Sequence, residues 1–194
     1  MEGVRKGRPP VPPAKVLAAA DALFADAQTP NSVTMDAIAA TAGVGKGTLF
    51  RAFGSRDGLL DALWTIKLAT VRAAIEDDAP PLGQGSPPRE RAIAFLDALL
   101  TFKLENRHLL RAREMAPRVL QSQHYRWMHG LLQNFIQEAF PNGAAGRSEY
   151  AAHVLLAALH IDLVEELLVS GLSLAAIRQA QAAHARSIIA DGLG

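Results

Sequence analysis

The chain has 194 residues, 49% hydrophobic and 20% charged, with no cysteine and a formal net charge of +1. That composition supports one to two packed domains. It excludes wholesale disorder, disulfides and thiolate metal sites, so a reducing cytoplasm is the expected location. Alanine is abundant and aromatics are only 6%, with almost no β-branched runs, so an all-α fold is expected. No apolar stretch approaches the roughly 20 residues of a membrane span.

In chain order, residues 1–13, MEGVRKGRPPVPP, are basic and proline-rich. They predict an extended arm and, having no apolar h-region, not a signal peptide. Val16, Leu17, Ala20, Leu23, Phe24 and Ala27 then recur at helical spacing until QTPNSV breaks the pattern. Thr34 is a good N-cap for a short helix carrying Met35, Ile38 and Ala39, which Gly43 stops. A second short helix, about Gly45 to Phe53, has Leu49 and Phe53 on one face and ends at Gly54. Ser55 caps a longer helix whose stripe is Leu59, Leu60, Leu63, Ile66 and Val71. Up to Arg56, seven basic residues against four acidic ones leave +3 on this N-terminal unit. DDAPPLGQGSPP, residues 77–88, marks the clearest boundary, a flexible connection to a second helical unit with helices near 88–105, 106–116, 120–140, 147–170 and 173–191. The expected division is therefore arm and N-terminal unit over 1–56, a linking helix over about 55–79, and a second unit over 80–194.

GVGKGT, residues 43–48, invites comparison with a nucleotide-phosphate loop. That loop requires G-x-x-x-x-G-K-[ST] between a strand and a helix. Here the first glycine position is Ala40, Gly47 follows Lys46, and a capped helix precedes the run. A helix–turn–helix fits instead: Ala39 where the helices cross, Gly43 in the turn, Val44 between the helices, and Gly45, Lys46, Thr48 and Arg51 facing outward. A helix N-terminus bearing a lysine and a hydroxyl suits DNA phosphates and bases.

TMDAIAATAGVGKGTLFRAFGSRDGLLDAL, within residues 14–63, resembles the DNA-binding domain of TetR-type transcriptional regulators. The remainder fits the family's effector and dimerisation domain only in length and helix count. The resemblance implies a homodimer on an inverted-repeat operator in double-stranded DNA, most often a repressor released by a small molecule. Independently of the resemblance, the residues give no cofactor, metal or catalytic site to expect, and His160, Asp162, Glu165 and Glu166 read as core or surface groups rather than metal ligands. Three positions depart from the family's habit: Gly45 where serine is frequent, Phe50 where tyrosine is usual, and Ala52 where histidine is common. More backbone binding then falls to Lys46, Thr48, Arg51, Arg56 and the arm.

The candidate DNA-binding residues are Arg5, Lys6, Arg8, Thr34, Gly45, Lys46, Gly47, Thr48, Arg51 and Arg56. Gly47 costs the helix about 1 kcal/mol against alanine, which a close approach of backbone to DNA offsets. Thr48 is either a phosphate ligand or a base-edge reader. The arm either enters the minor groove or adds general electrostatics. In the second unit, Phe102, Arg111, Met115, His124, Trp127, Met128 and Leu131 are core-or-pocket residues suited to an apolar or aromatic ligand. The helix at 147–170 is apolar nearly all round, so one face is free for a partner copy. With the last helix it nominates Leu159, Leu163, Leu167, Ile177, His184 and Ile188 as a dimer interface. All six histidines lie in this unit, none in an i, i+4 metal pair. Two rivals share the pattern: a helical enzyme using these acids and histidines, and a ligand-blind DNA-binding or interaction protein.

Overall fold

The computed structural model describes residues 13–27, 29, 32–114, 119–141 and 145–190. Ten α-helices and no strand occur among them. They are α1 (Pro13–Asp26), α2 (Met35–Ala42), α3 (Lys46–Phe53), α4 (Arg56–Glu76), α5 (Pro88–Glu105), α6 (Arg107–Glu114), α7 (Gln123–Ala139), α8 (Ala145–Ala157), α9 (Ile161–Val169) and α10 (Leu174–Ala190). No helix among the described residues is long and apolar enough to cross a membrane. Arg5, Lys6, Arg8 and Met115 lie outside the described residues.

The helices bury two cores. The first gathers Val16, Leu17, Ala20 and Phe24 of α1, Ile38 and Ala39 of α2, Leu49 of α3, and Leu59, Leu60 and Leu63 of α4. The second joins Trp64, Leu68 and Val71, further along α4, to Phe95 and Leu99 of α5, Leu132 and Phe135 of α7, and residues of α8, α9 and α10. One continuous helix of 21 residues therefore belongs to both. α6 also crosses the expected division: Leu109 and Ala112 pack into the first core. Ile66, expected on the apolar stripe of α4, is instead 52% exposed, and Trp64 and Leu68 take the inner face.

Two further expectations are corrected. The 77–88 connection is anchored rather than loose, because Leu82 is buried and its carbonyl accepts from Arg91 Nε at 3.1 Å. The helix expected at 147–170 is two helices, broken at 158–160. The break is stable because its carbonyls are taken: Lys103 Nζ donates to Leu159 O at 2.8 Å, Gln181 Nε2 to Ala158 O at 2.7 Å, and the His160 N–H to Ala157 O at 3.0 Å.

Candidate nucleic-acid interface and adjoining cavity

Local chemistry positions the α2–α3 pair. Thr34 is extended and its hydroxyl accepts from the Ala37 N–H at 3.2 Å, while Asp36 places a negative charge in the first turn of α2. Gly43 takes φ 68°, a left-handed conformation that glycine adopts without steric cost, and α2 stops there. Val44 N–H then bonds back to Ala39 O at 3.0 Å, and Val44 is half-buried between the helices. Gly45 opens α3 with no side-chain cap. Leu49 is the buried anchor of α3, with Phe53 half-buried beside it. Gly45, Lys46, Gly47, Thr48, Phe50, Arg51 and Ala52 are exposed together on the outer face.

That face is open at its backbone. A Cβ on Gly47 meets nothing within 4 Å, and one on Gly45 meets only Thr48 Oγ1 at 3.8 Å. Lys46 Nζ is held 2.8 Å from Asp36 Oδ1 across the turn, both side chains remaining well exposed. Arg56 differs from expectation. Its Nε donates to Val33 O at 3.3 Å and its guanidinium lies 5.1 Å from the Phe24 ring centroid, so it is half-buried as a brace between α4, α1 and the segment before α2. Sequence inspection missed Gly58. It lies in the first turn of α4, where a Cβ would fall 2.1 Å from Phe53 O, so only glycine lets α4 start against the end of α3. Its signal was a glycine spending helix propensity just after the Ser55 cap, which accepts from the Gly58 N–H at 3.1 Å.

The unit is tied to the rest by a cluster at Asp21 of α1. Lys67 Nζ of α4 lies 2.6 Å from Asp21 Oδ2, and His108 Nε2 of α6 lies 2.9 Å from Asp21 Oδ1. Burial of the Asp21 carboxyl works to raise its pKa, but the hydrogen bonds and charges of Lys67 and His108 outweigh it and hold the group below the usual carboxylate range.

Beyond this junction lies a cavity of about 360 Å³, walled by Trp64 of α4, Lys103 of α5, Leu110 of α6, Leu120, Ser122, His124, Tyr125 and Met128 at and before the start of α7, and Leu156, Ala157 and His160 where α8 breaks. The size suits a small organic ligand. His124 is buried and its Nε2 donates to Asp61 O of α4 at 3.3 Å. Tyr125 Oη and His153 Nδ1 are hydrogen-bonded at 2.7 Å, and burial pushes the phenol pKa up, so it keeps its proton.

Of the expected pocket residues, His124 and Met128 line this cavity and the other described ones do not. Trp127 packs edge-on against Phe95 at 5.8 Å, with the Arg72 guanidinium 4.0 Å over its ring. Phe102 packs against Trp64 within the core, the two rings tilted by 52° with centroids 5.0 Å apart, and Leu131 packs against the same core. Arg111 is exposed and paired with Glu165 at 2.6 Å. Trp64, Lys103, Ser122, Tyr125 and His160 went unnominated, and the spacing of no single segment unites them.

Among the expected interface residues, Leu159 and Ile177 are buried in the chain's own core at 0% and 2% exposure, so neither side chain is available to a partner. Leu163 and His184 are exposed, and Leu167 and Ile188 are half-buried. The break before His160 turns Leu159 inward, and Ile177 falls with Ala185 and Ile189 on the inner side of α10. Among the described residues, no group of three or more histidine, aspartate or glutamate side chains is placed to hold a metal.

Two short helices joined by a left-handed glycine, with the second exposing cations beside open backbone, define a helix–turn–helix DNA-binding protein. Residues 16–63 match the profile of bacterial regulatory proteins, tetR family. A TetR-like transcriptional regulator from Rhodococcus sp. RHA1 shares the fold with a TM-score of 0.61 at 22% identity, over 90% of this chain and 94% of that one. The TetR family repressor AlkX from Dietzia sp. strain DQ12-45-1b, implicated in biodegradation of n-alkanes, does so with a TM-score of 0.53 at 18% identity, over 98% and 97%. A gamma-butyrolactone receptor, an ArpA-like protein, gives 0.55 at 21%, over 92% and 96%. No curated protein matches the chain. Residues 16–63 therefore carry the N-terminal domain shared by bacterial regulatory proteins of the tetR family. That domain, on an all-helical fold shared with TetR-like regulators, supports a DNA-binding transcriptional regulator.

Proposed function

We propose that the protein is a homodimeric repressor, acting in the cytoplasm, that binds an inverted-repeat operator and is released when a small molecule enters the cavity beside α4. The observation that carries this is the continuity of α4. Leu59, Leu60 and Leu63 fix it in the core of the reading head, and Trp64, one residue on, lines the cavity. From Arg56 to Trp64 the helix rises only about 12 Å. A ligand that displaces Trp64 or the His124–Asp61 hydrogen bond therefore moves a helix rooted in the α3 junction. Tilting both heads of a symmetric dimer breaks their register with the two half-sites. The outward faces of α9, of the turn after it and of the start of α10, with Leu163, Val169, Leu172 and Leu174 exposed, supply apolar surface for the second copy.

The test is operator affinity with and without ligand, by fluorescence anisotropy. A coupling of about 1–3 kcal/mol reduces affinity roughly 5- to 150-fold, and operator weakens ligand binding by the same factor. A ligand that saturates the cavity while operator affinity stays constant would falsify release.

A further inference from the structure

We infer that Phe50 selects thymine, its ring packing on the C5-methyl group of that base in the major groove; this rests on the reading of α3 as the helix that enters the groove. Phe50 is 40% exposed, while its neighbour Leu49 is buried. Its ring belongs to neither core, and the partly buried aromatic that α3 packs on the first core is Phe53. An exposed phenylalanine ring gains nothing from water and has no donor or acceptor with which to hold a phosphate.

Its position in α3 gives the ring a direction. Phe50 follows Lys46 by four residues and Gly47 by three, so the three share one flank of the helix. Helical side chains lean back toward the N-terminus, which carries the Phe50 ring toward the turn of Lys46 and Gly47. Gly47 has no side chain there, and a Cβ on it would meet nothing within 4 Å. The ring is thus bordered by bare backbone, at the end of α3 that a major-groove helix presents to base edges. Lys46 and Arg51 are exposed on the same face, which suits the phosphates that flank the groove. Within the groove, the apolar group on a base edge is the C5-methyl of thymine, and phenylalanine is among the side chains that contact it. Thr48, which also carries a methyl, lies two residues before Phe50 and about 160° away round the helix, on the other flank.

The experiment uses the tightest duplex that the full chain selects from random thymine-containing DNA. Each thymine is replaced in turn, at the same place in both half-sites, by deoxyuridine, which keeps the base pair and deletes only the methyl. Affinity is read by fluorescence anisotropy. The expected result is one position at which the replacement weakens wild-type binding, roughly fourfold per half-site for one methyl left unburied and about 15-fold for the pair. Phe50→Ala should bind the thymine duplex more weakly and lose the penalty at that position. Thr48→Ser, which drops the threonine methyl and keeps the hydroxyl, should retain it. The wild-type scan decides the matter even if Phe50→Ala fails to fold. Enrichment of no duplex removes the DNA-binding reading and the inference together. Tight wild-type binding with deoxyuridine silent at every position, selection of half-sites without thymine, or a penalty that survives in Phe50→Ala would overturn the inference alone and leave α3 as a DNA-binding helix.

Discussion

Lys46 Nζ of the reading helix lies 2.8 Å from Asp36 Oδ1 of the preceding helix. Lys46, at the start of α3, is thus shared with an acid of α2 on the exposed outer face. Both side chains are more than half exposed, so the pair contributes little to stability. Its consequence lies in binding. Lys46→Ala should weaken operator and random DNA alike and lower the salt slope by about one ion contact per subunit. Asp36→Asn, which keeps the shape but removes the charge, should tighten both by about two- to fivefold. A salt titration by anisotropy reads both effects, and an unchanged slope in Lys46→Ala removes Lys46 from the DNA contacts.

Gly47 and Gly58 should respond in opposite ways to alanine. At Gly47 nothing stands within 4 Å of a Cβ, so alanine should stabilise the free protein by about 1 kcal/mol through helix propensity, roughly 2–4 °C in Tm. If the α3 backbone approaches DNA there, the same methyl group lowers DNA affinity. At Gly58 the methyl meets the Phe53 carbonyl, so Gly58→Ala should cost roughly 1–3 kcal/mol and loosen the head. Calorimetry and anisotropy on both variants check this. Rising Tm with unchanged DNA affinity in Gly47→Ala would remove the close approach.

Stability should carry an acid-sensitive component from Asp21. Its pKa in the folded chain is depressed by Lys67 and His108. The stabilisation is therefore fully present above about pH 4, the ordinary carboxylate value, and is lost as pH falls through the lower folded value. Asp21→Asn should lower stability at pH 7 by about 1–3 kcal/mol and flatten the acid limb. A Tm series from neutral pH downward in which wild type and variant run parallel would contradict the role of this cluster.

The reading head was legible in sequence because its signals are local. Thr34, Gly43 and Ser55 are punctuation a few residues apart, and each acts in the structure as its residue type dictates. The cavity was not legible. Lys103, Ser122 and His160 come from three segments and meet only because α8 breaks at 158–160. Apolar periodicity runs unbroken through that break, so one long helix was the natural expectation. Leu159 and Ile177 were misassigned to a partner for the same reason: a helix with two apolar faces does not reveal which face its own chain covers. Asp21 and His108 are 87 positions apart, and nothing local pairs them.

Dimerisation should depend on the exposed part of the expected interface. Leu163, 46% exposed, is the residue to change. Leu163→Glu should yield a folded monomer by light scattering, with helix content retained and tight operator binding lost. A wild-type monomer at micromolar concentration that still binds operator tightly would exclude the symmetric arrangement.

Selection of bound sequences from random duplex DNA by the purified full chain tests the central claim most directly, because it presumes neither the operator nor the ligand. A two-fold inverted repeat should emerge, with half-site centres about 34–36 Å apart or a multiple of that spacing. The same selection with Lys46→Ala should enrich the repeat more weakly. Enrichment of an asymmetric single site, or of no sequence at all, would contradict a symmetric pair of α3 helices reading DNA.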